Sequence, residues 1–296
     1  MFKKAVISDE ISQDFFRAVK IICRFKLEGI ELRSVWDKNP HELSSSEIAN
    51  IRKTVQSEGL TIPCLDTPLF KCRLHSNHDY QEHLQILKRS MEVAHELGIG
   101  FIRGFTFWDE ESEIDFFEAN LPVITDKIQA ITGMLEENKI VLVIESDPAT
   151  SANSSQKLEK FLTNLTSPWI KAVWDPGNNL YVQGAEKPYP DAYERLKPYI
   201  AHVHIKDICR APGGDPEACC IGAGEVGYPE VFKRLIADGY DGWVSLETHY
   251  RLRSGPLSEE LLALPKGSSF SMGGEEATIE SLESWEKILM DMGRLR

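Results

Sequence analysis

Residues 140–145 read Ile-Val-Leu-Val-Ile-Glu: five aliphatic side chains with no polar alternation, closed by a carboxylate. A strand with one wet face alternates apolar and polar residues. A strand apolar on both faces is covered on both sides, as in a parallel sheet flanked by helices. Helical spacing precedes this run over 114–135 and follows it over 154–165, and the same alternation extends in both directions. Strand-like segments are expected at 3–8, 29–33, 60–65, 101–107, 140–144, 170–174, 200–205 and 242–246. Helices are expected at 11–25, from Ser44–Ser46 to Gly59, and at 78–97, 154–165, 188–196, 229–237 and 279–292, besides 114–135. Ser44–Ser46 with Glu47 is a helix N-cap signal, and Gly59, Gly98 and Gly239 mark C-terminal ends. Eight strand–helix pairs in about 250 residues or slightly more is the arithmetic of an α/β (β/α)8 TIM barrel.

The expectation is a single domain, 1–296, with long loops at 210–227 and 250–274 on the face where βα loops carry function. A doubly wound open sheet is the runner-up. Against it, Ser8-Asp9-Glu10-Ile11 after the first strand lacks the glycines of a dinucleotide fingerprint.

Apolar residues are 42% and charged residues 27% of the chain, an ordinary globular mixture. Acidic side chains outnumber basic ones 46 to 33, a net charge of −13. That argues against a broad phosphate-binding surface for nucleic acid and against docking on anionic membranes. The first ten residues lack the apolar run of a signal peptide, and no stretch reaches the roughly 18 apolar residues of a membrane span. The expectation is a soluble cytoplasmic chain, with its six cysteines as free thiols.

Four polar residues stand at the C-terminal tips of the last four strands: Glu145, Asp175, His204 and Glu247. In a barrel such tips are neighbours. Three carboxylates a few Å apart repel strongly, and a divalent cation removes that cost. Three carboxylates with one imidazole favour Mn2+ or Mg2+, with Co2+ and Zn2+ as alternatives.

Val143-Ile144-Glu145, Trp174-Asp175-Pro176-Gly177-Asn178, His202-Val203-His204-Ile205-Lys206-Asp207 and Leu246-Glu247-Thr248 together resemble the xylose isomerase-like TIM-barrel superfamily. That group includes ketose 3-epimerases, hydroxypyruvate isomerase, inosose dehydratase and, more remotely, endonuclease IV. The glycine-rich stretch 222–228 resembles the family's loop after strand seven. The resemblance implies Glu145, Asp175, His204 and Glu247 as metal ligands and the two glutamates as an acid/base pair. It also implies Arg210 as a substrate contact. Asn178 stands where the epimerases often carry a histidine, which bears on specificity and weakens a nuclease reading.

Glu10, Arg33, Lys71 and Arg103 follow the first four strands, where they would meet substrate or form surface salt bridges. Lys206 and His249 are further substrate contacts, and His202 is an interior histidine one step deeper. Asp207 is expected to face the helix layer. Trp36, Phe70, Phe107, Trp108 and Tyr250 either wall a sugar face or pack the loops, and His41, His75, His78, His83 and His95 are expected on the surface.

The expected function is a metal-dependent isomerase or epimerase of a small sugar, keto-sugar or polyol, proceeding through an enediolate. Its partner is a small carbohydrate, and its oligomeric state is open. The alternative is a lyase or dehydratase sharing the same first proton abstraction. A phosphodiesterase like the AP endonucleases ranks below both.

Overall fold

The computed structural model describes residues 1–110, 115–252 and 264–293. Its main sheet has eight strands: β1 Lys3–Ile7, β2 Gly29–Glu31, β3 Leu65–Leu69, β4 Phe101–Gly104, β5 Val141–Glu145, β6 Ile170–Trp174, β7 Ile200–Ile205 and β10 Trp243–Leu246. They lie in the order β2-β1-β10-β7-β6-β5-β4-β3. Every ladder resolved residue by residue among them is parallel. Beyond β2 an isolated parallel bridge joins Gly29 to Thr61, in the segment leading into β3. With helices between successive strands, the fold is a (β/α)8 TIM barrel. The chain divides into two compact units, Met1–Pro63 with Val203–Arg296, and Cys64–His202.

Local signals place most helices. Asp14 caps α1, Phe15–Arg24, by accepting from the N–H groups of Phe16 and Arg17, so this helix starts later than its apolar stripe suggests. Phe15, Ala18, Val19, Ile21 and Ile22 form its buried side. Helix α2, Ser45–Glu58, opens on a capping box between Ser44 and Glu47 and ends at Gly59. Helix α3, Asn77–Leu97, ends at Gly98 in the same left-handed geometry.

Several segments depart from the sequence reading. β3 lies at Leu65–Leu69, after the expected 60–65; Pro63 has no N–H to give a ladder, and only Thr61 of the earlier stretch bridges. The helix expected over 114–135 is two, α4 Phe116–Gln129 and α5 Thr132–Asn138; residue 114 lies outside the described residues. The break is marked by the Thr132 hydroxyl, which donates to the Gln129 carbonyl. The loop 210–227 is not wholly irregular: β8 Asp207–Arg210 and β9 Pro216–Cys219 pair as an antiparallel hairpin. Of the loop 250–274, residues 253–263 lie outside the described residues, and Lys266–Phe270 is a short helix, α9. The last helix, α10, is Gly274–Asp291.

The interior is packed. In the second unit Cys64, Val143 and Val173 form a buried cluster against Phe101, Val141 and Ala201. Glu31, Glu145, Asp175 and Glu247 stand at or just beyond the C-terminal ends of their strands.

Candidate functional site

In the first unit, a 3-10 turn after β1 carries Asp9 and Glu10. Glu31 ends β2, His204 lies near the end of β7, and Glu247 follows β10. All of these are buried. Arg33 is the hub. Its Nε and Nη2 donate to the two oxygens of Asp9 at 3.1 and 2.8 Å. Nη2 also donates to Glu10 at 2.5 Å, and Nη1 to Glu247 at 2.7 Å. The guanidinium lies 4.7 Å from the centre of the Phe270 ring. The surface salt bridge considered for Arg33 is thus a buried network.

The other oxygen of Glu247 accepts from Lys206 Nζ at 2.9 Å. Burial works against ionisation of Glu247, yet the charges of Lys206 and Arg33 outweigh it and hold the carboxyl well below the usual range. Glu10 moves the other way. Burial, with the charges of Asp9 and Glu247, raises its pKa to about 7 against the pull of Arg33. His249 stacks on Phe270 at 4.1 Å and sits 3.1 Å from Glu247. Burial pushes its pKa down to about 3, so the ring is neutral near pH 7. Glu10, Glu247 and His249 form one group of donors able to hold an ion. Deeper in the same unit, His204 Nε2 lies 2.9 Å from Glu31 Oε1.

The glycine-rich stretch has a local cause. Asp207 accepts from the N–H groups of Ile208, Gly222, Gly224 and Val226 at 3.0, 2.9, 3.0 and 3.2 Å. A Cβ on Gly224 would fall 2.3 Å from Asp207 Oδ1 and 2.5 Å from the Ile208 carbonyl oxygen, so only glycine permits this wrap. Asp207 therefore turns into its own loop, which packs on the last helix through Ser284 and Ile221. Arg210 is exposed, its Nε 3.6 Å from Glu225.

In the second unit, Glu145 ends β5 and is held on both oxygens: Arg103 donates to one at 3.0 Å and the Asn178 amide to the other at 2.9 Å. Arg103 also lies 3.5 Å from Asp66, with its guanidinium 5.0 Å from the Phe105 ring centre. Asp175, after β6, accepts at Oδ1 from the N–H groups of Gly177 and Asn178 at 2.8 and 3.3 Å. Lys71 Nζ donates to Asp147 at 2.7 Å and lies 4.1 Å from the Phe105 ring centre. Burial lowers its pKa against the pull of Asp147. His202 is buried, edge-on to Phe101.

Two further expectations change. Phe70 and Phe107 are fully buried and pack on each other and on Tyr80, so they fill the loop layer and do not wall a sugar. His83 is half-buried: it stacks on Phe70 and accepts from its N–H at 2.8 Å. Sequence reasoning passed over Asp9, Glu31, Asp66 and Asp147. Their one local signal was position, since Glu31 and Asp147 lie at or just past a strand end.

A (β/α)8 barrel with buried carboxylates, histidines and basic residues at the strand ends belongs to the class of TIM-barrel proteins with a polar centre at their C-terminal face. More particularly, the chain belongs to the xylose isomerase-like TIM barrel family, whose model matches residues 19–287. It is similar to an inosose dehydratase of Klebsiella pneumoniae (strain 342), 23% identical over 147 residues. That alignment covers 45% of this chain and about half, 48%, of the dehydratase. Among solved structures it resembles the D-psicose 3-epimerase of Clostridium cellulolyticum H10 solved with D-tagatose. The TM-score is 0.75 at 13% identity, over 98% of this chain and 99% of that one. It also resembles an IOLI protein with a bound zinc atom, with a TM-score of 0.73 at 16% identity over 98% and 99% of the two chains. At such identity the structural likeness shows the fold. No described helix is long and apolar enough to cross a membrane.

Proposed function

We propose that this chain is a divalent-metal-dependent isomerase or epimerase of a small sugar, keto-sugar or polyol, with Glu145, Asp175, His204 and Glu247 as the ligands. The observation that carries the reading is the burial of all four donors at the C-terminal ends of β5, β6, β7 and β10, strands that are consecutive in the sheet order. Buried carboxylates and an imidazole are the donor types that hold a divalent ion. Three oxygen donors and one imidazole fit Mn2+ first, with Mg2+, Co2+ or Zn2+ in its place.

When bound, the ion supplies polarisation of the carbonyl and hydroxyl of an α-hydroxy ketone. The chain's own residues supply the proton transfer. Glu247, kept ionised by Lys206 and Arg33, is suited to accept a proton from the carbon beside the carbonyl. Glu145, fixed by Arg103 and Asn178, returns one on the opposite face. Arg33, Arg103, Lys206 and Asn178 thus orient carboxylates in this reading. Arg210, Lys71, Glu10 and His249 are left as contacts for the sugar.

A dehydratase is the second reading, favoured by the similarity to inosose dehydratase. It shares the first proton abstraction and differs in expelling a β-hydroxyl. The test is incubation with Mn2+ in D2O with a panel of ketoses, including D-tagatose and D-fructose, and with inososes, followed by NMR. Deuterium entering beside the carbonyl with an inverted centre supports the epimerase. Loss of water supports the dehydratase. No exchange with any member, or equal exchange by Glu145→Gln and Glu247→Gln, refutes the acid/base assignment.

A further inference from the structure

Register across β2, β1, β10 and β7 puts Gly29, Ala5, Ser245 and His204 in one row. Three of the four are the smallest residues available, so the imidazole of His204 is the one large side chain of its row and has room to lie across it. Gly29 admits nothing else: a Cβ there would fall 2.6 Å from Trp243 Cζ3 and 3.0 Å from Ala5 Cβ. Two residues further along β2, on the same face, stands Glu31. Its Oε1 meets His204 Nε2 at 2.9 Å, and both side chains are 0% exposed.

A carboxylate only accepts hydrogen bonds, and a neutral imidazole carries its proton on one nitrogen. At 2.9 Å, with both side chains fully buried, Glu31 therefore requires the proton on Nε2. The reverse tautomer would press two lone pairs together. With Nε2 protonated, the lone pair is on Nδ1, and a metal binds the nitrogen that carries the lone pair. We propose that Glu31 is the positioning residue of His204: it accepts the Nε2 proton, fixes the ring and its tautomer, and makes Nδ1 the ligating nitrogen. This rests on the assignment of His204 as a metal ligand. The energetic logic is that of a carboxylate–histidine–metal relay, in which the outer carboxylate raises the basicity of the ligand and pre-sets its orientation. It also gives the buried carboxylate of Glu31 a hydrogen-bonded partner.

The test uses full-length protein stripped with chelator, 15N-labelled at histidine, with Co2+ as the probe. Long-range 1H–15N spectra read the His204 tautomer without metal, and calorimetry reads Co2+ affinity. Wild type is expected to show Nε2–H at His204 and to bind one Co2+, which His204→Ala abolishes. Glu31→Ala is expected to lose the tautomer bias and to weaken Co2+ binding by roughly 10–100-fold. Glu31→Gln keeps an acceptor oxygen and the volume, so it should keep the tautomer with a smaller loss, and it carries the test if the alanine variant does not fold. An Nδ1–H tautomer in the wild type overturns the proposal. So does wild-type Co2+ affinity in both Glu31 variants, while leaving the metal site standing. Loss in Glu31→Ala as complete as in His204→Ala makes Glu31 a ligand and overturns it too. Failure of the wild type to bind Co2+ refutes the metal assignment and this proposal with it, and is told apart because it appears before any substitution.

Discussion

Replacing Asp207 tests how the loop after β7 is held. Its carboxylate accepts four backbone N–H groups: Ile208 and Val226 on one oxygen, Gly222 and Gly224 on the other. Gly222 is exposed and Gly224 half-buried, so water can replace the carboxylate there. Ile208 and Val226 are buried. Each orphaned buried donor costs about 1–3 kcal/mol, so Asp207→Ala removes about 2–6 kcal/mol. Burial of the carboxylate opposes this, since desolvation pushes its pKa up even against the four donors. The expected net loss is about 2–4 kcal/mol. Asp207→Asn keeps one accepting oxygen but turns an NH2 toward two donors, and should lose roughly half as much. Urea unfolding at unchanged m-value measures the loss, and limited proteolysis within 211–225 reports whether the loop has opened. Arg210 and Glu225 ride on this segment, so KM for an accepted sugar should rise with loop opening while the barrel stays folded. An Asp207→Ala protein within about 0.5 kcal/mol of wild type, with an unchanged cleavage pattern, would show that the β8–β9 hairpin holds the loop by itself and would refute the capping argument.

Arg33→Met should destabilise by about 3–5 kcal/mol, because it leaves Asp9, Glu10 and Glu247 without their shared buried cation; chemical denaturation measures it. Asn178→Ala should slow turnover as well as alter substrate preference, because Glu145 loses the amide that orients one oxygen; a change confined to KM would count against that role. Ser44→Ala should cost about 1 kcal/mol through loss of the capping box on α2, read by thermal melts. Glu47 in that box has its pKa lowered to about 2 by Lys38 and Ser44. Its contribution is complete above the ordinary value near 4.5 and fades as pH falls toward 2, so Glu47→Gln should flatten the acid limb of stability and leave the neutral region less stable.

Much of the architecture was legible in sequence because its causes are local. The aliphatic run at 140–144, the Ser44–Glu47 box and the glycines closing α2 and α3 each act within a few residues. Strand ends could also be read, and with them the burial of Glu145, Asp175, His204 and Glu247, because a barrel turns position along a strand into position at its mouth. Partner choice was not legible. Arg33 reaches Glu247 across 214 residues and His204 reaches Glu31 across 173. No periodicity encodes such distances. The same holds for the role of Asn178: its spacing from Asp175 marks it as a mouth residue, but only the fold turns its amide onto Glu145. Likewise 210–227 reads as loop, because its hairpin is too short for a hydrophobic pattern and its glycine-rich stretch is secured by one buried carboxylate. Sequence by itself determined the class of fold and which residues reach the strand ends, through hydrophobic patterning and caps. Tertiary structure alone decided which cation neutralises which carboxylate and which nitrogen of His204 faces Glu31, because buried charge is paired by proximity in space.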